Sequence, residues 1–223
     1  MIKGAIFDID GTIIDSMEIW HNLGKDYLNN LGIKAEENLG DILFELTLDM
    51  GVQYIIDNYD LDKSKEEVMN EISNLAIDYY INRSELKTNA KEILEYLYEK
   101  DIKMVVASST ERYCLEKAFK RLDIDRYFER IFTCPETGKT KSYPDIFIEA
   151  ENYLSVPREN IWVFEDALYS INTAKKLGFK IVGIYDEISK NDQDEIIEKS
   201  DIYGKDLESV LIEIKKILEN RYQ

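Results

Sequence analysis

The sequence predicts an α/β fold, a doubly wound parallel sheet of Rossmann-like type that carries an inserted all-α domain. Three observations lead there. Short apolar, β-rich runs recur at residues 4–7, 102–107, 131–133, 161–164 and 180–184. Between the later runs lie stretches of helical periodicity, the alternation that builds a parallel sheet covered on both faces. The long stretch 17–84 shows helical periodicity and no strand signal, so it interrupts the series just after the first strand.

In order, Gly4 to Phe7 is an apolar run ending in Asp8-Ile9-Asp10-Gly11-Thr12, which reads as a buried strand followed by a turn. Past Asp15-Ser16, the residues Trp20, Leu23, Tyr27, Leu28 and Leu31 fall at helical spacing before Gly32. Stretches 52–59 and 66–81 repeat the pattern, and Ser64 with Glu67 has the form of a capping box. Helix 89–100 leads into strand 102–107, and helix 111–122 precedes the run 131–133. A helix over 145–154, strand 161–164, helix 168–177 ending at Gly178, strand 180–184 and a closing helix over 206–220 complete the chain. The expected domains are an α/β core at 1–15 and 85–223 and a helical cap at 16–84. Asp15-Ser16 and Ser84 to Thr88 would be the hinge strands between them.

At 223 residues, 44% hydrophobic and 33% charged, the chain can bury a sizeable core and belongs with globular sequences. A formal net charge of -17 argues against nucleic acid as a partner, because phosphate backbones are held by clustered Lys and Arg. An acidic chain that binds a phosphate must place its few cations locally, so single lysines in loops gain interest. Cys114 and Cys134 are too few and too far apart for a disulfide framework or zinc cluster, and read as buried free thiols. The apolar run at the N-terminus is too short for a signal peptide or a membrane span. A cytoplasmic monomer with no membrane or nucleic-acid partner is the expectation.

In open parallel sheets, ligands bind beyond the carboxyl ends of the strands. The residues just past each apolar run are therefore informative: Asp8 and Asp10, then Ser108, Ser109 and Thr110, then Lys139 and Lys141, then Glu165 and Asp166. Singly, each has a plainer reading as a polar turn, a helix cap, a solvated charge or an acid at a helix N-terminus. Arriving in order at successive strand ends, they describe a metal-bound phosphate site. Magnesium takes oxygen ligands, and phosphoryl transfer needs an in-line nucleophile with donors to the equatorial oxygens. Asp8 and Asp10, two apart in extended chain, project to one side, so one can attack while the other handles a proton. Gly11 suits a tight turn whose amides could approach an anion.

These runs resemble the four signatures of the haloacid dehalogenase superfamily: Asp8-Ile9-Asp10-Gly11-Thr12, then Val105-Val106-Ala107-Ser108, then Lys141-Ser142-Tyr143-Pro144-Asp145-Ile146-Phe147, then Phe164-Glu165-Asp166-Ala167. The match spans the chain, and a helical cap after the first signature resembles the β-phosphoglucomutase-like branch. The resemblance implies Mg2+ as cofactor, Asp8 as the residue that becomes phosphorylated and also ligates the metal, and Asp10 as general acid and base lending its carbonyl to the metal. Ser108, Ser109, Lys141, Gly11 and Thr12 would bind phosphate. Asp166 would be a further metal ligand, with Glu165 a second or a partner of one, and Lys139 a reserve for the cation. Two departures are visible: Ser142 stands where the family pairs Pro with the Lys, and Ala167-Leu168-Tyr169-Ser170-Ile171 replaces the usual small residue after the fourth signature.

A mutase must hold a second phosphate with cations on its cap. Residues 35–60 contain no Arg or Lys, from Ala35 through Glu45 and beyond, and Arg83 is the only Arg of the helical block. The sequence therefore points to a phosphatase acting on a sugar phosphate or nucleotide, ahead of a phosphomutase and of a phospho-acceptor signalling module. His21, the only histidine, sits one position from where such mutases carry a cap His, about 100° around a helix. It reads as exposed or capping, and Trp20 as packed in the cap core.

Overall fold

The computed structural model describes residues 2–44, 46 and 48–219. Glu45, within the cation-free stretch, and residue 220, the expected end of the last helix, lie outside the described residues. β1 (Gly4–Phe7) is buried along its whole length, as an apolar run without alternation requires of a strand covered on both faces. After β2 (Ile14–Asp15) the chain makes α1 (Met17–Asn30), α2 (Leu39–Phe44), α3 (Leu48–Tyr59) and α4 (Lys65–Asn82), then β3 (Glu85–Leu86). Next come α5 (Ala90–Glu99), β4 (Lys103–Ser108), α6 (Arg112–Leu122), β5 (Arg130–Thr133), α7 (Cys134–Thr137) and α8 (Asp145–Leu154). β6 (Ile161–Glu165), α9 (Leu168–Leu177), β7 (Lys180–Ile184), α10 (Gln193–Lys199), β8 (Ile202–Gly204) and α11 (Leu207–Glu219) complete the order. Residues 1–15 with 85–223 form one compact unit, and residues 16–84 form another.

In the first unit six parallel strands take the order β5-β4-β1-β6-β7-β8. β1 is central, with Phe7 in register with Val106 on one side and Phe164 on the other. That register brings the residues after β1, β4 and β6 to one sheet edge. Alternation splits the strand side chains between two faces. Ile6, Val105 and Val163 pack with Phe147, Leu154, Ile171 and Phe179 in one cluster. Phe7 stacks on Phe164 with centroids 4.1 Å apart and meets Phe128, which in turn packs on Phe119 of α6. A separate antiparallel pair, β2 with β3, joins Ile14 to Leu86 and Asp15 to Glu85. Cys114 and Cys134 are free and buried.

β8, α7, α10 and the β2–β3 pair fall outside the sequence expectation. The strands among them are two or three residues long, too short to show a period. No helix among the described residues is long and apolar enough to cross a membrane.

In the second unit Tyr27 and Leu28 of α1, Leu39 of α2, Val52 and Ile55 of α3, and Val68 and Ile72 of α4 form the core. His21 Nε2 lies 2.9 Å from Asp41 Oδ1, and its ring covers Gly40, where an added Cβ would come within 2.5 Å of His21 Cε1. The ring thus joins α1 to α2. Trp20 is half-buried and packs at 6.1 Å from Tyr80. α4 opens on a complete capping box: Ser64 accepts from the Glu67 amide while the Glu67 carboxylate accepts from the Ser64 amide at 2.8 Å. Ser64→Ala should destabilise this unit by about 1 kcal/mol. Amide exchange at Glu67 should quicken, and an unchanged rate would show that the box contributes nothing.

Candidate active site

The first turn places the leading carboxylates. Asp8 continues β1, its amide donating to Phe164 O at 2.9 Å, so its side chain emerges between the ends of β4 and β6. Gly11 at φ 81 reverses the chain in a conformation that only glycine adopts at no steric penalty. The amides of Gly11 and Thr12 donate to Ile14 O and Ile9 O, so the turn itself uses them. The Thr12 hydroxyl donates to Asp166 Oδ1 at 3.3 Å. Within the chain, then, the groups of these two residues close the turn and orient Asp166.

Asp8, Glu165 and Asp166 each offer an oxygen within 4.8 Å of the others, and all three are buried. Lys141, 2% exposed, reaches into the cluster. Its Nζ donates to Asp8 Oδ1 and, at 3.0 Å, to Glu165 Oε2. Lys139 instead pairs with Asp145 at 2.7 Å on the surface, so the reserve cation is not brought to the site. Ser108 is buried, its hydroxyl accepting from the Thr110 amide at 3.0 Å, while Ser109 is exposed with its hydroxyl toward Cys134 Sγ. Asp10 is half-buried, and its Oδ2 accepts from the Thr110 hydroxyl at 2.7 Å.

Three carboxylates face one ammonium in a site without water's dielectric, and titration reflects it. Burial pushes Asp8 up to about 7; the Lys141 charge opposes this, and the Glu165 and Asp10 charges add to it. Burial, then the charges of Asp8, Glu165 and Asp186, holds Asp166 well above the carboxylate range. For Lys141 burial acts downward, but the neighbouring carboxylates outweigh it and hold the ammonium well above its ordinary value. Such an excess of buried anionic oxygen suits a hard divalent cation. Asp8 Oδ2 is moreover buried without a hydrogen-bond partner among the described residues. The cluster fits a metal ion, with Asp8 and Asp166 as its acceptors and Glu165 adjoining them.

Sequence reasoning gave no role to four participants. Thr110 orients Asp10, and Ser170 donates to Glu165 Oε2 at 2.6 Å. Lys87, just past β3, pairs with buried Asp186 at 2.8 Å and also donates to Tyr185 O. Asp186 lies just beyond the apolar run of β7, so the rule applied to the other strand ends would have found it. That rule does reach Thr110, but nothing in the chain pairs it with Asp10. Ser170 and Lys87 carry no such signal.

A profile of the haloacid dehalogenase-like hydrolases matches residues 5–184. The phosphorylated carbohydrates phosphatase of Thermotoga maritima is 23% identical over 219 residues, covering 97% of this chain and 100% of its own. Glycerol-1-phosphate phosphohydrolase 1 of Saccharomyces cerevisiae is 29% identical over 227 residues, covering 95% and 85%. A crystal structure of a candidate β-phosphoglucomutase from Thermotoga maritima superposes with a TM-score of 0.84 at 22% identity, over 99% of this chain and 100% of that one, and shows the same fold.

The raised Asp8 fixes a sign. Between its ordinary range near 4 and about 7 the fold holds a proton that the unfolded chain releases, so metal-free stability falls as pH rises through that window. Asp8→Asn should therefore raise the melting temperature of metal-free protein at pH 8 and change it little at pH 5. Cation binding requires those protons to leave. Magnesium should raise the wild-type melting temperature more at pH 8 than at pH 5.5, and an equal rise at both would contradict this.

Proposed function

The chain belongs to the haloacid dehalogenase-like hydrolase family, and from that footing we propose that it is a magnesium-dependent phosphatase of the β-phosphoglucomutase-like branch, acting on small phosphate monoesters, a sugar phosphate or nucleotide. The carrying observation is the buried Lys141 ammonium set against Asp8 and Glu165 at the sheet edge where Asp166 also lies. That arrangement combines a nucleophile, an anion-binding cation and metal-binding oxygens within one cluster.

In this reading the Asp8 carboxylate attacks phosphorus, and the ester P–O bond breaks as the Asp8 O–P bond forms. Asp10 protonates the departing alkoxide oxygen. Lys141 and Ser108 donate to the phosphoryl oxygens, where negative charge is spread in the transition state. Water then attacks phosphorus, giving its proton to Asp10, and the Asp8 O–P bond breaks to release phosphate and restore Asp8. Thr110, through its bond to Asp10 Oδ2, keeps that carboxylate aimed across both steps. Magnesium, when bound by Asp8, Asp166 and the Asp10 carbonyl, supplies positive charge that offsets repulsion between Asp8 and the incoming dianion. The helical unit 16–84 would act as the cap domain.

Water is favoured over a sugar hydroxyl as acceptor by the cations of the helical unit. Residues 35–60 have none; of the unit's five, Lys63, Lys65 and Arg83 pair with Glu71, Asp49 and Asp78 of the same unit, Lys25 donates to Glu37 O at 3.4 Å, and Lys34 is exposed. A mutase of this branch would need a cluster of such groups for a second phosphate, and a single lysine is a weak clamp.

Wild-type protein with magnesium should release phosphate from p-nitrophenyl phosphate and from members of a sugar-phosphate and nucleotide panel, and chelation should stop it. Asp8→Asn should show no turnover, and Asp10→Asn should lose about 10²–10⁴ in kcat. No release from any ester at high magnesium would sink the proposal. Interconversion of isomeric sugar phosphates that depends on a bisphosphate primer would replace it with the mutase.

A further inference from the structure

α9 begins directly behind Glu165-Asp166, and two residues of its first turn point opposite ways. Tyr169 is half exposed, whereas Ser170 is completely buried. The Ser170 hydroxyl donates to Glu165 Oε2 at 2.6 Å, the same oxygen that accepts Lys141 Nζ at 3.0 Å. The other oxygen, Oε1, accepts from the amides of Asp166 and Ala167 at 3.3 and 3.2 Å. An ionised carboxylate has about four acceptor positions, and donors of this unit fill all four on Glu165. Asp8 differs, since its Oδ2 has no partner among the described residues.

The amides hold Oε1 but leave the carboxylate free to pivot about that end. Ser170 removes the freedom by fixing Oε2, and Oε2 is the oxygen against which Lys141 rests. We propose that Ser170 is a positioning residue for Lys141, acting through Glu165. Its hydroxyl makes the Glu165 carboxylate a fixed stop that sets the ammonium beside Asp8 and toward the transferred phosphoryl group. Glu165 then serves the lysine, and the metal ion falls to Asp8 and Asp166. The inference rests on the reading of Lys141 as a hydrogen-bond donor to the phosphoryl oxygens.

The test is a set of titrations on the full chain, with inorganic phosphate in saturating magnesium and with magnesium alone, each followed calorimetrically. Ser170→Ala removes one oxygen from a buried site and leaves no enlarged side chain, so the fold should persist. It should weaken phosphate binding about tenfold, the order set by a hydrogen bond to a charged group, while magnesium affinity stays within about threefold. The loss should fall on kcat more than on KM, because the phosphoryl oxygens gain charge in the transition state. Ser170→Cys, with a weaker donor of similar size, should lie between. Combined with Glu165→Gln, Ser170→Ala should add nothing further to the loss, since the two act through one contact. Unchanged phosphate affinity in Ser170→Ala, or simple additivity with Glu165→Gln, would overturn the role. So would a magnesium affinity that falls as far as the phosphate affinity, because Ser170 would then serve the ion. Wild-type protein that binds no phosphate at all would remove the phosphate-site reading itself, and this inference with it.

Discussion

The site depends on one buried ammonium. Lys141 has left water entirely, and an unpaired charge in that position would be strongly destabilising. It is held by oxygens from the residue just past β1 and from the end of β6, with α9 behind them, so its placement requires the sheet register and the helix start to be correct together. The lysine in turn makes the carboxylate cluster tenable. Without it Asp8, Glu165 and Asp166 would repel one another in a medium that screens poorly. With it an excess of negative charge remains, and protons or a divalent cation must meet that excess. The raised carboxyls of Asp8 and Asp166 and the fit of the cluster to a divalent cation thus follow from the same imbalance.

The parallel sheet is what lets residues so far apart in sequence share this imbalance. Each strand delivers its last residue to the same edge, and the β4-β1-β6 order sets Asp8 between Ser108 and Glu165. The turn at Gly11 then brings Thr12 back onto Asp166. Lys87 and Asp186 extend the network sideways to β7 and to the linker strand β3. The segment that returns from the helical unit is therefore tied, within the core, to a carboxylate whose charge is felt by Asp166.

Much of this could be read from the chain. The apolar runs and helical periods mark where each long element lies, because strand and helix periodicity are local properties of backbone geometry. The capping box at Ser64 is local in the same way, and the structure forms it. The two-residue linker strands and β8 carry too few residues to express a period, so they become visible only as paired backbone.

Residue order alone established the fold class and the chemical types that gather at the sheet edge, since a parallel strand arrangement sends the residues past each apolar run to one side. The division of labour among them emerged only in three dimensions. Lys141 is buried while Lys139, two residues away, is bound to Asp145 on the surface. Gly11 and Thr12 close the turn after β1, and Thr110 and Ser170 become the partners of Asp10 and Glu165. These outcomes depend on which side chains lose their water together, and that is set by distances between elements that no local pattern encodes.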